Sequence, residues 1–270
     1  MLDKDEILEV DFAALYRAQR RKSSFGERSP ADWDRRASGR RAAPDDDYTR
    51  ALLARIDWTG IETALDIGCG TGNLALPLAR KLRRVHALDF SREMLRQLQA
   101  NRRRAKLRNL VTHRQAWTDP WRGVPRADLV ICSRALGVAD LRAELAKMDR
   151  WARRRCCATM HAGGSFLGPE LLDRLGRRIV PRPDYIYAVN LLYQLGIRAR
   201  VDFIRTTGGM TYPTPEAFID SVRWRIGELS AREADRLRSY FQSLPRTADG
   251  QVRYRHEFNW AVLAWEKSPR

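Results

Sequence analysis

Short apolar runs alternate with amphipathic stretches through the middle of this chain. Five runs have the length and composition of buried strands, at residues 64–67, 85–89, 110–115, 127–133 and 156–161. The stretches with helical spacing of apolar residues end near residue 82 or span 91–106 and 140–153. Regular alternation of strands and helices favours an α/β fold, with a doubly wound, mostly parallel sheet that binds ligands at the carboxyl ends of its strands.

The pattern changes in the last third of the chain. Helical stretches are predicted at residues 168–178 and 183–196, and extended stretches at 199–206 and 259–266. Residues 214–244 contain two helix starts, because Thr214 precedes a proline and Ser230 has a glutamate three residues later. We therefore predict a helical pair inserted between two strands.

The first residues stand apart from this alternation. Phe12 and Tyr16 are spaced as on one face of a helix, and Trp33 lies in a second such stretch. We therefore divide the chain into an N-terminal helical lid at residues 1–44 and a main domain at residues 45–270.

Charge is the most unusual feature of the composition. The chain has 50 Lys and Arg against 33 Asp and Glu, a net charge of +17, which makes a nucleic-acid partner a candidate. Basic residues cluster at Arg20, Arg21 and Lys22 and, as arginines alone, at 102–104 and 153–155. The second cluster lies near the end of a predicted helix and the third just before the fifth strand. Arginine prevails along the whole chain, however, so a solvated basic surface is the favoured interpretation.

The cysteines and the first residues bear on location. The four cysteines show no C-x-x-C spacing and the four histidines are scattered, so no metal site is predicted. The acidic start does not resemble a signal peptide, and no apolar run approaches the about twenty residues that span a bilayer. We expect a cytoplasmic protein with reduced thiols and no membrane contact, and the oligomeric state stays open.

A glycine turn after an acidic strand end is the most specific motif. Asp66 ends the first strand, and Gly68, Gly70 and Gly72 follow before a helical stretch. Glycines permit positive φ and close approach of a nucleotide. The spacing differs from the dinucleotide fingerprint G-x-G-x-x-G, and no Lys-Ser/Thr pair follows as in a P-loop. Asp89 ends the next strand, where a carboxylate can accept hydrogen bonds from ribose hydroxyls.

With these residues, D-x-G-x-G-x-G, the chain resembles the class I S-adenosylmethionine-dependent methyltransferases. The resemblance continues through LDFSREML at 88–95, QAWTD at 115–119 and DLVICSRAL at 128–136. It implies a seven-stranded sheet whose last strand is antiparallel at the sheet edge, and S-adenosylmethionine as the cofactor.

The resemblance also implies a cofactor site. The glycine turn would lie against the methionine portion, Asp89 would bind the ribose, and Ala116 and Trp117 would flank the adenine. A place in the core is the alternative for Trp117. The residues predicted to bind the cofactor are Asp66, Gly68, Cys69, Gly70, Asn73, Asp89, Phe90, Met94, Ala116, Trp117 and Ser133.

Helical segments are expected to cover the acceptor. By the same resemblance the N-terminal lid covers the cofactor, and segments at about 165–196 and 214–244 form a cap, with an ordinary helical layer as the alternative. The residues predicted to line the acceptor pocket are Tyr16, Trp33, Tyr48, Arg134 and Tyr187. His161 ends the fifth strand on the ligand side and is the candidate general base, with a structural histidine as the alternative.

The implied activity is in-line methyl transfer to a small-molecule acceptor. The fourth strand end lacks the Asn/Asp-Pro-Pro-aromatic motif usual for methylation of exocyclic amino groups of bases, and Cys132 lacks the preceding proline usual for a cytosine C5 nucleophile. Two alternatives stay open: an RNA methyltransferase that uses the arginine-rich surface, and a noncatalytic module that binds the cofactor.

Overall fold

A computed structural model of the chain describes residues 4–37, 42, 46–163, 165 and 167–267. The predicted boundary between residues 44 and 45 lies outside these described residues. Within them, seven strands form one sheet: β1 (Thr63–Ile67), β2 (Arg84–Asp89), β3 (Leu110–Arg114), β4 (Ala127–Ser133), β5 (Ala152–Ala162), β6 (Arg200–Tyr212) and β7 (Val252–Glu266).

The strand order is β3-β2-β1-β4-β5-β7-β6. β1 to β5 are parallel, whereas β7 pairs antiparallel with both β5 and β6. The sheet reverses its winding direction between β1 and β4, which places a ligand-binding crevice at their carboxyl ends. The predicted α/β, doubly wound and mostly parallel sheet is confirmed.

Helices surround this sheet. Those in the described part of the chain are α1 (Lys4–Glu9), α2 (Phe12–Lys22), α3 (Pro30–Ala37), α4 (Asp47–Leu53), α5 (Ala75–Lys81), α6 (Arg92–Arg104), α7 (Leu141–Trp151), α8 (Pro169–Leu175), α9 (Tyr185–Gln194), α10 (Pro215–Ile226) and α11 (Ala231–Ser243). Among these described helices, none has both the length and the apolar character needed to cross a bilayer.

Several helices begin at the residues whose side chains predict a start. The Ser91 hydroxyl accepts a hydrogen bond from the backbone N–H of Met94 at the start of α6. Ser230 and Glu233 form the reciprocal bonds of a capping box at the start of α11. These starts are confirmed because a cap depends on residues only a few positions apart.

The last strands differ from the prediction in position and length. β7 lies inside the sheet, and β6 is the edge strand. Both strands continue past their predicted limits, so that their pairing extends from Arg200 opposite Ala264 to Tyr212 opposite Val252. The arginines at 153–155 lie within β5 and not before it. The pair formed by β6 and β7 therefore projects beyond the parallel part of the sheet.

Alternate residues of the strands face two helical layers. Ala64 of β1 belongs to an apolar cluster with α4, α5 and α6, represented by Leu52 and Leu98. Its neighbour Leu65 belongs to a cluster with α2, α7 and α9, represented by Leu145. The period of two in the strand thus divides the core into two layers.

A third apolar cluster surrounds the projecting part of the β6–β7 pair. Leu171 of α8, Phe218 of α10 and Leu237 of α11 pack there around Tyr212 and Val252. The helical pair predicted within 214–244 is confirmed as α10 and α11. Within 165–196, α9 packs against α7 and β5 in a layer beside the sheet, and the cap role of this segment stays a prediction.

Candidate functional site

The glycine turn joins the carboxyl end of β1 to α5. Gly68, Gly70 and Gly72 have φ angles of +70°, +52° and +101°. A Cβ at Gly68 would lie 2.3 Å from the Cβ of Ala135, and one at Gly72 would lie 2.3 Å from Cδ1 of Leu98. The backbone conformation favours glycine at both positions, and at Gly68 the fixed Cβ of Ala135 also leaves no space for a side chain.

Asp89 ends β2 beside this turn and holds it in place. Its carboxylate accepts hydrogen bonds from the backbone N–H groups of Gly70 and Ser91, each at 2.9 Å. Burial raises the pKa of Asp89, and these two hydrogen bonds act in the opposite direction. A carboxylate has about four acceptor positions, so Asp89 keeps capacity to accept further hydrogen bonds.

Asp66 has an unsatisfied oxygen at the neighbouring strand end. The residue is 2% exposed, and its Oδ2 has no hydrogen-bond partner among the described residues. Burial and then the charge of Asp89 raise the pKa of Asp66 to about 7. A buried acceptor without a donor is costly, which indicates that a ligand supplies the donor.

Four other predicted cofactor residues lie around the turn. Cys69 and Met94 are buried, and burial raises the pKa of the Cys69 thiol well above its ordinary value. The sulfur of Met94 lies 3.9 Å from the position of a Cβ at Gly70. Asn73 and Phe90 are half-buried.

The two residues predicted to flank the adenine follow β3. The carbonyl of Ala116 accepts a hydrogen bond from the indole N–H of Trp121. Trp117 is 9% exposed, packs against Trp121 and donates its indole N–H to the carbonyl of Ala135 at 3.1 Å. Trp117 therefore packs in the core, and a contact with adenine stays a prediction.

A hydroxyl network connects the carboxyl ends of β4 and β5. The Tyr48 hydroxyl lies 2.8 Å from the Ser133 hydroxyl and 2.8 Å from the Thr159 hydroxyl. Tyr48 is 5% exposed, and burial raises its pKa to about 12. The ring and hydroxyl of Tyr48 are thus buried beneath this edge, and its place in the acceptor pocket stays a prediction.

Arg134 follows Ser133 and lies above this network. Its φ is +59°, in the left-handed region. Its backbone N–H donates to the Thr159 hydroxyl at 2.9 Å, and its guanidinium carbon lies 4.4 Å from the centre of the Tyr48 ring. The side chain is exposed, so Arg134 presents a cation to the cleft.

His161 lies near the end of β5, as predicted. Its ring stacks on Phe258 and meets Trp260 edge-on, both at 5.9 Å between centres. Burial and then the charge of His256 lower the pKa of His161 to about 4. The imidazole is therefore neutral at pH 7 and is a weaker base than an ordinary histidine.

These features fit S-adenosylmethionine, whose hydroxyl and ammonium groups would meet the Asp89 and Asp66 carboxylates beside a turn free of side chains. Residues 64–155 match a family model described as a methyltransferase domain. The chain therefore contains a methyltransferase domain of the class I S-adenosylmethionine-dependent type. S-adenosylmethionine is accordingly its cofactor, and the domain counts against the noncatalytic alternative.

Two relatives differ in how much of the methyltransferase they cover. An uncharacterized protein of Haemophilus influenzae is 32% identical over 263 residues, 96% of this chain and 97% of that protein. The 23S rRNA (uracil(1939)-C(5))-methyltransferase of Aliivibrio salmonicida is 26% identical over 112 residues. That match spans 40% of this chain and only 26% of the rRNA enzyme.

A solved structure shares the fold of the methyltransferase. A candidate methyltransferase of Bacillus halodurans C-125 superposes with a TM-score of 0.57 at 14% identity. The superposition covers 83% of this chain and 99% of that one. The similarity therefore extends beyond the residues matched by the family model.

Of the remaining predicted pocket residues, Tyr16 and Trp33 lie on the N-terminal helices α2 and α3, and Tyr187 contacts Tyr16. Tyr16 on α2 is 1% exposed, donates its hydroxyl to the Val138 carbonyl and meets Tyr187 edge-on. Trp33 on α3 meets Trp224 of α10 edge-on at 5.9 Å. Tyr16 is thus buried, and its place in an acceptor pocket stays a prediction, whereas Trp33 joins α3 to α10.

Sequence reasoning missed three residues at this edge. Asp34 on α3 accepts a hydrogen bond from the Ser91 hydroxyl, a contact between distant segments with no local signal. His256 and Phe258 of β7 lie beside His161. Residues 252–260 alternate apolar or aromatic with polar side chains, and this period of two could have indicated the longer strand.

Proposed function

We propose that the enzyme methylates a small-molecule acceptor bound at the carboxyl ends of β4 and β5. When bound, S-adenosylmethionine supplies the methyl group on a positively charged sulfur. The protein has to hold the accepting atom about 3 Å from the methyl carbon and keep water out. Ser133, Arg134 and His161 are at the strand ends where this contact would occur.

A helix that bridges the cofactor side and the cap is the observation that carries this proposal. Asp34 on α3 accepts hydrogen bonds from the Ser91 hydroxyl and the Glu93 N–H at the start of α6. On the same helix, Trp33 packs on Trp224 of α10. We expect a helix fastened on both sides to restrict access to the site, which would suit a small acceptor better than a folded RNA.

The cofactor contacts form part of the proposal. Asp89 binds the ribose hydroxyls, the turn at Gly68 and Gly70 lies against the methionine portion, and Ala116 and Trp117 lie near the adenine. The hydrogen bond between Asp89 and Gly70 supports this arrangement because it ties the ribose acceptor to the turn.

His161 is proposed to accept a proton from the acceptor. Its lowered pKa keeps the ring neutral, and therefore able to accept, throughout the neutral range. A pKa of about 4 makes it a weak base, so its help suits an acceptor whose proton is acidic or becomes acidic as the new bond to carbon forms.

RNA is the second candidate acceptor. The net charge of +17 and the partial match to an rRNA methyltransferase favour it. RNA binding through arginines would weaken steeply as salt is raised. Binding that is weak and insensitive to salt would count against RNA.

The acceptor can be identified with methyl-labelled S-adenosylmethionine. The enzyme is incubated separately with the small-molecule extract and with the RNA of the source cells, and labelled species are identified by mass. We expect label in the extract; label in RNA alone would overturn the small-molecule acceptor.

A cytoplasmic location is also proposed, supported by four free and buried cysteines.

A further inference from the structure

Arg134 presents a cation without an acidic partner at the acceptor side of the cleft. Among the described residues, no carboxylate lies within 4.0 Å of its guanidinium and no acceptor takes a hydrogen bond from it. The guanidinium rests on the Tyr48 ring at 4.4 Å. A guanidinium has five N–H donors, and those of Arg134 are available to a ligand.

The backbone and the ring beneath Arg134 hold this cation in position. A φ of +59° is unfavourable for a residue with a Cβ, and such conformations concentrate at functional sites. The Thr159 hydroxyl accepts the Arg134 N–H and also lies against the Tyr48 hydroxyl. One buried hydroxyl thus fixes both the strand end that carries the cation and the ring that supports it.

Two further arginines surround the loop that follows Arg134. Arg20 donates to the Gly137 carbonyl at 2.8 Å, and Nη1 of Arg182 lies 3.8 Å from the position of a Cβ at Gly137. Glu27 pairs with Arg20, but its side chain is 73% exposed. Glu27 and Asp184, which acts on the neighbouring His161, are the acidic residues facing this end of the cleft. Three arginines outnumber these two carboxylates, which favours an anion.

We infer that the methyl acceptor is an organic anion and that Arg134 binds its carboxylate or phosphate group. This inference rests on the proposed small-molecule function. The planar guanidinium matches both anions with paired N–H donors. Ala135, the next residue, closely approaches Gly68 of the cofactor turn, so an anion held by Arg134 places the rest of the acceptor beside that turn.

The charge of the acceptor is tested by fractionating the extract before the reaction. A small-molecule extract is passed over an anion-exchange resin at pH 7, and the bound and unbound fractions are assayed with labelled S-adenosylmethionine. We expect acceptor activity in the bound fraction, and loss of it after phosphatase treatment identifies phosphate as the bound group. Activity in the unbound fraction overturns the anionic acceptor alone, whereas label only in RNA overturns the small-molecule function as well.

The role of Arg134 is tested with the active fraction. Arg134→Gln is expected to lower kcat/KM for the acceptor by about 10- to 100-fold, mainly through KM, because a charge-assisted hydrogen bond is lost. Arg134→Lys should restore part of this loss, and affinity for S-adenosylhomocysteine should stay unchanged in both variants.

A matched control separates recognition from a general loss of charge. Arg108 is exposed just before β3, away from the carboxyl ends of the strands, so Arg108→Gln removes the same charge and should leave KM unchanged. Inorganic phosphate should compete with the acceptor in the parent and in Arg108→Gln but not in Arg134→Gln. Equal KM and equal phosphate inhibition in the two glutamine variants would overturn the assignment.

Discussion

Replacement of Asp89 by alanine removes the carboxylate that joins the glycine turn to the proposed ribose site. That carboxylate accepts two backbone hydrogen bonds at 2.9 Å and is proposed to accept two more from ribose hydroxyls. A hydrogen bond to a charged group contributes about 1.5–3 kcal/mol, so two lost cofactor bonds amount to about 3–6 kcal/mol. Affinity for S-adenosylhomocysteine should therefore fall roughly 10²- to 10⁴-fold.

Calorimetric titration measures this loss, and Asp128→Ala is the matched control. The Asp128 carboxylate accepts hydrogen bonds from the backbone N–H groups of Glu62 and Thr63 at the opposite end of the sheet. Both variants leave two backbone donors without their acceptor, so both should unfold at lower urea concentration. Only Asp89→Ala should lose affinity, and equal affinities in the two variants would refute the assignment of Asp89 to the ribose.

Three further changes test the turn, the hydroxyl network and the candidate base. Gly68→Ala should abolish cofactor binding, because its Cβ would lie 2.3 Å from that of Ala135. Gly250→Ala is the control and should bind normally, since a Cβ there has nothing within 4 Å; titration with S-adenosylhomocysteine measures both affinities. Tyr48→Phe breaks two hydroxyl contacts and should lower the free energy of unfolding by about 1–3 kcal/mol, so an unchanged urea midpoint would contradict the network. The folded pKa of His161, about 4, lies below its ordinary 6.5. Its contribution to stability is therefore present above pH 6.5 and is lost as the pH falls through about 4; an NMR titration giving a pKa above 6 would disprove this, and His161→Ala should lower turnover more than cofactor affinity.

Features set by neighbouring residues were predictable from the sequence. The caps at Ser91 and Ser230 depend on a side chain and a backbone N–H three residues away. The turn at Gly68 and Gly72 depends on the absence of a Cβ beside a strand end. The cofactor half of the molecule consists mainly of such local units, and its family resemblance could therefore be recognised from the sequence.

Features set by distant segments were not predictable. Tyr16 and Tyr48 are aromatic residues at helical positions, and the sequence does not reveal that their hydroxyls bond to Val138 and to the ends of β4 and β5. The predicted sixth strand ends at residue 206, whereas β6 continues to Tyr212. Gly208 and Gly209 weaken the strand pattern of the sequence there. Pairing with β7 carries the strand through these glycines, which is a tertiary effect.

The internal position of β7 has a consequence for the order in which the chain folds. At the edge of the described sheet, β6 pairs with β7 alone, although β6 is synthesised first. Domains generally form from the N-terminal side during synthesis, and pairing between distant strands is slow. The half that holds the glycine turn can therefore assemble on the ribosome first. β6 and the helices packed around the β6–β7 pair can assemble only after residues 252–266 have been synthesised. A chain stopped before residue 252 would keep the turn proposed to bind the methyl donor but would lack the strand around which α8, α10 and α11 pack.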